Sequence, residues 1–330
     1  MKKRILFFFI TFLIAAIILY FVFKKIDIRE TWKTFLSFSK EGIFLVFILT
    51  ILAVFLGAWR WKIILKDIGY NIPLKNLISS WASGFGIAYF TSLSAMWGDE
   101  VFKTYKLKNK FSVSLKKAAV SVFIEDPILD GSIFYLTLII GVIFFILKTM
   151  TIPLELRFVL LILLFPTIGL ILFYLIVFKN YKLNILDKLL KRFVNSEIAD
   201  NIASIREEIF NFFRPSNKRM WQTVILSFLK GVVNIIRSWV IIFFLGAKVN
   251  FITAVSISAF TNIAYTFPLP AALGSLEALQ AFAFSRLGLT SRIAVAFVLV
   301  LRIADISLAL IGIFLVLKFS TKWLKEKMGL

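Results

Sequence analysis

The sequence predicts an all-α polytopic membrane bundle, and three observations carry that reading. Sixty per cent of the 330 residues are hydrophobic and the mean hydropathy is +0.91, well beyond what a water-soluble core needs. Six apolar segments each approach the roughly 20 residues that ~30 Å of hydrocarbon requires. The 39 Lys and Arg residues fall mostly between those segments, as the loops of a membrane protein demand.

The first span is 5–23, preceded by Lys2, Lys3 and Arg4. Its length and the lack of a small-x-small cleavage pattern mark a retained helix, not a secretory signal. The other spans are 42–59, 129–147, 158–178, 221–245 and 293–317. Two further segments fit a full crossing poorly. Residues 77–97 carry Ser79, Ser80, Ser83, Gly84 and Gly86, and residues 251–288 are interrupted by Pro268, Pro270 and Gly274. Proline and glycine at that spacing break a helix into two half-helices.

With the N-terminus inside, 26 Lys and Arg residues fall on the cytoplasmic side and 10 outside, the expected positive-inside bias. That count requires each weak segment to enter and leave on one side. Six full spans plus two oppositely oriented re-entrant helical hairpins follow, in the cytoplasmic membrane with both termini cytoplasmic. The alternative, eight full crossings, keeps the termini in place but moves the basic 103–117 stretch outside. The whole chain, 1–330, then forms one integral membrane domain. Within it, 40–178 and 221–317 are a possible inverted pair of halves. Residues 179–220 read as a cytoplasmic amphipathic connector, because Leu186, Leu189, Leu190 and Phe193, and then Ile198, Ile202, Ile205 and Ile209, recur at helical spacing.

The chain has no cysteine and no histidine. Thiol nucleophiles, disulfides, Cys- or His-ligated zinc and imidazole acid–base chemistry are thereby excluded. The formal charge of +21 suits anionic lipid headgroups better than nucleic acid, since the basic residues are interleaved with hydrocarbon-length spans. No glycine-rich phosphate loop or dinucleotide fingerprint is present, and no cofactor is expected.

Three constellations hold the polar chemistry. In the first, Asp99 can cap the helix after Gly98, or Glu100 and Lys103 can contact a headgroup at the cytoplasmic mouth of a cavity. The second is Glu125-Asp126-Pro127 with Asp130. Pro127 suits a first helical turn and Asp126 suits its cap, while three carboxylates just before a span point to one that pairs with a buried cation or binds substrate. The third joins Pro268, Pro270, Gly274 and Glu277 to Arg237, Arg302 and Asp305. Arg302 and Asp305 are three apart on one helical face, so mutual neutralisation is expected. Charges inside a span must face a partner or water. Arginine grips phosphate bidentately, and a half-helix N-terminus offers free N–H groups to an anion.

The segment Gly57-Ala58-Trp59-Arg60-Trp61-Lys62, the Gly98-Asp99-Glu100 turn with Lys103, the acidic stretch around Glu125 and Asp130, and Pro268-Leu269-Pro270 with Gly274 and Glu277 together resemble a known family. It is the flippase-like family that includes the transmembrane region of lysylphosphatidylglycerol synthase, the multiple peptide resistance factor. Two departures are visible. The family commonly follows its glutamate with arginine and places an aspartate four residues on, whereas here Asp126 follows Glu125 and the aspartate is Asp130. The glycine pair usual after the prolines is Ala271-Ala272.

The resemblance implies movement or binding of a polar-headed anionic or aminoacylated lipid between leaflets. The partners it implies are a phospholipid or a polyprenyl-phosphate-linked lipid, and a separately encoded synthase or glycosyltransferase. A membrane-embedded lipid-phosphate transferase or phosphatase, using carboxylates with Mg²⁺ or as a base, is the alternative. A lipid-binding scaffold is another.

Overall fold

The computed structural model describes residues 2–24, 27–90, 98–149, 154–178, 195–267 and 269–328. Among these, the regular elements are helical: α1 (Lys2–Lys24), α2 (Ile28–Leu36), α3 (Lys40–Asp67), α4 (Leu74–Phe90), α5 (Gly98–Phe111), α6 (Leu115–Phe123), α7 (Gly131–Thr149), α8 (Leu154–Phe178), α9 (Ser196–Phe212), α10 (Lys218–Phe244), α11 (Phe251–Thr266), α12 (Ser275–Arg286) and α13 (Ser291–Met328). A π-helical turn, Ile124–Asp130, joins α6 to α7. Residues 91–97, Pro268 and the Leu186–Phe193 face of the connector lie outside the described residues.

Among the described residues, four helical runs are long and apolar enough to cross a membrane: Lys40–Asp67, Leu115–Thr149, Lys218–Phe244 and Ser291–Ser320. The chain is thus an all-α, multi-pass membrane bundle. Side-chain caps set several helix starts. Ser39 accepts from the Gly42 N–H, Asn217 from that of Arg219 and Asn250 from that of Thr253, each replacing a bond the first turn cannot make internally.

The sequence expectation fails at Pro127. It does not open a helix, and Asp126 does not cap one; the helix begins at Leu115 and runs through both. Proline lacks the N–H and crowds the carbonyl one turn back. A π turn widens the coil there, so the helix continues without that bond.

The short helices come in pairs. α4 and α5 have 17 and 14 residues, and α11 and α12 have 16 and 12. Each pair is flanked by long helices, so the order long, short, short, long occurs twice. The packing crosses between the two sets: α3 lies along α10, α4 along α13 and α11 along α7. Glycine makes the last two contacts close. A Cβ on Gly312 of α13 would sit 2.0 Å from the Ala82 carbonyl oxygen, and one on Gly86 of α4 would sit 2.6 Å from that of Ala309. Gly141 of α7 meets Val255 and Ala259 of α11 in the same way. Small residues let backbones approach where lipid offers no hydrophobic drive to associate.

On the connector, Ile209, Phe212 and Phe213 pack with Ile64, Val120 and Ile124, while Ile198 and Ile202 are exposed. The amphipathic face is thus divided between a docked end and an open end.

Gly312→Ala places a methyl against backbone that cannot move aside. Overpacking of this kind costs about 1–3 kcal/mol, so the variant is expected to unfold at lower temperature in detergent than the unmodified protein, and an unchanged midpoint would refute the close α4–α13 contact.

Candidate functional site

The site begins with an arginine that no water reaches. Arg60, two turns before the C-terminal end of the apolar α3, is fully buried. Its Nη1 donates to Asp130 at 2.5 Å and to Ser227 Oγ at 3.0 Å, and its Nη2 donates to Glu125 at 2.5 Å. Glu125 is also fully buried and takes a second cation, Lys103 of α5, at 3.1 Å. The Lys103 ammonium further meets Asp126 at 2.5 Å and Asp99 at 3.1 Å. Lys230 of α10 completes the cluster with Asp130 at 2.5 Å and stands 5.0 Å from the centre of the Trp81 ring, within cation–π range.

Four carboxylates therefore share three cations. The π turn makes this possible, because it fans Glu125, Asp126 and Asp130 toward Arg60, Lys103 and Lys230 within two helical turns. Two carboxylate groups, Asp99 with Glu100 and Asp126, and Glu125 with Asp126 and Asp130, lie close enough to suggest metal ligands. The Lys103 ammonium, however, already sits where Asp99, Glu125 and Asp126 converge.

The second group surrounds the helix break. After Phe267 the chain leaves helical geometry, and Ala271 and Ala272 both take φ of +50°. This region is costly for any residue with a Cβ. Arg302 of α13 receives the carbonyls so turned, donating from Nη1 to Ala271 at 2.7 Å and from Nη2 to Ala272 at 3.2 Å. The same guanidinium grips Glu277 through Nε and Nη2 at 2.8 and 3.0 Å. Glu277 in turn accepts from the Gly274 N–H at 2.9 Å. The start of α12 is thus capped from within, not left free for an anion.

Arg302 and Asp305 do not neutralise each other as their spacing suggests. Asp305 accepts from Arg237 at 3.1 Å and from the Tyr265 hydroxyl at 3.0 Å, and Arg237 also donates to Thr50 at 3.3 Å. Residues three apart on a helix share a face, but here each finds a better partner on a neighbouring helix.

Between the two groups lies a cavity of about 430 Å³ whose wall includes Lys103, Asp126, Asp130, Lys230, Arg237 and Asp305. Trp81, Phe85 and Tyr89, one turn apart on α4, line it as well, with Trp81 and Phe85 stacked at 5.8 Å. Arg237 carries a buried Nε without a hydrogen-bond partner.

Of the residues singled out from sequence, Lys103, Asp130, Arg237 and Asp305 line this cavity, Glu125 lies behind Lys103, and Glu277 and Arg302 lie behind the Ala271-Ala272 wall. Glu100 lines a separate pocket with Val101, Tyr105 and Asn109, its carboxylate close to those of Asp99 and Asp126. Pro270 is buried in the turn and Gly274 takes φ of +82°. Arg60, Asp126 and Lys230 were not expected as site residues; their signal was charge within or beside an apolar span.

A profile of the family described as the lysylphosphatidylglycerol synthase TM region matches residues 8–312. A UPF0104 membrane protein of Methanocaldococcus jannaschii is 25% identical over 332 aligned positions, which cover 97% of each chain.

Removing one partner of a buried pair strands the other, at a cost of about 3–5 kcal/mol. Arg302→Met should therefore lower the denaturation midpoint strongly, and adding Glu277→Gln should recover part of the loss. Equal losses for the single and double variants would show that the Arg302–Glu277 contact is not what holds the break.

Proposed function

The chain belongs to the family of the lysylphosphatidylglycerol synthase transmembrane region, and from that membership and the charged cavity we propose that it moves a polar-headed lipid between membrane leaflets. The observation that carries the reading is the cavity itself: acids and bases face an open volume bounded by apolar spans. Unpaired charge there costs several kcal/mol. A space lined by both signs suits the phosphate of an anionic or aminoacylated headgroup, met by Arg237 and Lys230, with an ammonium received by Asp126, Asp130 or Asp305. The acyl chains stay in hydrocarbon.

We read the long, short, short, long order as two inverted halves. A constant spacing of 177 residues supports this. It carries the start of α4 (Leu74) to the start of α11 (Phe251), and that of α5 (Gly98) to that of α12 (Ser275). The same spacing relates Arg60 to Arg237, Thr50 to Ser227 and Glu125 to Arg302. Even the contacts repeat: Arg60 donates to Ser227, and Arg237 donates to Thr50. In each half an ion pair ties the second short helix to the following long one, Lys103 to Glu125 and Glu277 to Arg302, with opposite polarity. An incoming phosphate competes with Glu277 for Arg302, and an ammonium competes with Lys103 for Glu125. Exchange of partners at one break and then the other is a route to alternating access.

The short helices also bear on topology. At 1.5 Å per residue, helices of 12 to 17 residues reach only about 18–26 Å, less than the ~30 Å hydrocarbon layer. Six full spans with two re-entrant hairpins, and both termini cytoplasmic, fit these lengths and the distribution of basic residues. Against a metal-dependent transferase or phosphatase stands Lys103, whose ammonium takes the place where the carboxylates meet.

In proteoliposomes, Arg237→Gln and Lys230→Gln are expected to slow leaflet exchange of labelled phosphatidylglycerol by about ten-fold or more, equivalent to about 1.4 kcal/mol. Exchange no faster than in protein-free vesicles, or equal rates in all three proteins, would remove the translocation reading. The chain has no cysteine, so Asn109→Cys, at an exposed position on α5, should react with an impermeant maleimide from the cytoplasmic side. Labelling from the outer side alone would overturn the topology.

A further inference from the structure

We infer that the cavity opens sideways into the bilayer between α7 and α10, through a polar throat that leads to a groove holding a lipid acyl chain. This rests on the lipid-translocating reading and specifies where the lipid enters. The throat is a space of about 190 Å³ that shares Asp130, Phe134, Lys230 and Asn234 with the main cavity. On its far side it shares Ile133, Thr137, Gly231 and Ile235 with a groove of about 330 Å³. The groove is almost wholly apolar and continues along Ile140, Phe144, Phe228 and Val255. Charge, then neutral polar groups, then hydrocarbon surface follow in sequence from the centre outward, the polarity order of a phospholipid from headgroup through glycerol esters to chain.

Two observations beyond the shape point to a ligand. Ser258 lines the throat, is 6% exposed, and its hydroxyl has no hydrogen-bond partner. A buried hydroxyl left unpaired costs about 1–3 kcal/mol, and an ester or phosphate oxygen in the throat would satisfy it. The other is the way the two halves differ. At the 177-residue spacing, Trp81 and Phe85 of α4 correspond to Ser258 and Asn262 of α11. Two stacked aromatic rings fill the space on the α4 side, and small polar side chains leave it open on the α11 side. The passage is tightest where Ile133 packs on Gly231, since a Cβ there would lie 2.5 Å from Ile133 Cγ2, and only glycine leaves room for both helices at that point. Under the proposed topology the groove runs toward the outer leaflet, because it ends at Phe144, Phe251 and Ile252, near the C-terminal end of α7 and the start of α11.

The test uses the purified full chain in detergent with phosphatidylglycerol bearing a diazirine on one acyl chain. Photolysis and peptide mapping should label residues 133–144 and 228–235 saturably and be chased by unlabelled phosphatidylglycerol. The exposed face of α8 at Ile168, Ile171 and Leu175 should label in proportion to lipid and resist the chase. Leu136→Trp and Ile140→Trp fill the groove from its exposed rim. Both are expected to lose the saturable label and to exchange lipid about ten-fold more slowly, whereas Ile171→Trp on α8 does neither. Equal, unchaseable labelling of groove and α8 would overturn the inference, as would native exchange in both filled variants. Saturable groove labelling in a protein that exchanges no lipid would leave the acyl-chain site standing and sink translocation instead.

Discussion

A cation with no access to water governs this bundle. Arg60 is completely enclosed by apolar helices, and an isolated guanidinium there would be untenable. Two carboxylates and a hydroxyl must come to it, and they arrive from the π turn and from α10. Once Glu125 and Asp130 are committed, Lys103 and Lys230 are drawn in to balance what remains. The position of the α4–α5 hairpin against α6 and α10 thus follows from electrostatics as much as from packing. Such an arrangement is weak evidence for net stability, because desolvation offsets much of the attraction. It is strong evidence for register, since a one-residue slip along any of these helices would strand a charge.

Unusual backbone appears where the charges need it. Pro127 and the π turn bring three acids onto neighbouring faces, and the left-handed alanines at 271 and 272 turn two carbonyls toward Arg302. Glycine at those two positions would reach positive φ without a steric penalty. Here the Arg302 contacts supply what offsets the cost. The break is held by Arg302 together with Ser275, whose hydroxyl donates to the Ala264 and Ala272 carbonyls, and with Glu277 on the Gly274 N–H.

Four of the spans, 42–59, 129–147, 221–245 and 293–317, were legible because hydrocarbon thickness dictates length and composition, and 221–245 lies within a residue or three of α10 (Lys218–Phe244). Pairing was less so. Arg302 and Asp305 share a face in sequence, yet pair to α12 and α10 respectively, because through-space partners depend on which helices adjoin. Pro127 misled for a local reason: as a rule proline opens or breaks a helix, and only the π geometry spares it. Arg60 stood in the quoted Trp59-Arg60-Trp61 segment, and Lys230 was visible inside a span. The signal that would have joined Arg60 to the site is the 177-residue spacing, which relates it to Arg237.

The repeat is informative chiefly where it fails. Glu125 gives way to Arg302 at the equivalent position, and the tie to the preceding short helix is made from different sites, Lys103 where the second half has Gln280 and Glu277 where the first has Glu100. The two ties thus present opposite charge on the long helix, an acid at Glu125 and a base at Arg302. The aromatic filling of α4 against the small polar residues of α11 breaks the symmetry again, and on that side the cavity continues toward hydrocarbon. Where the 177-residue correspondence holds, the contacts repeat, and where it lapses, rings fill one side and small polar side chains leave the other open.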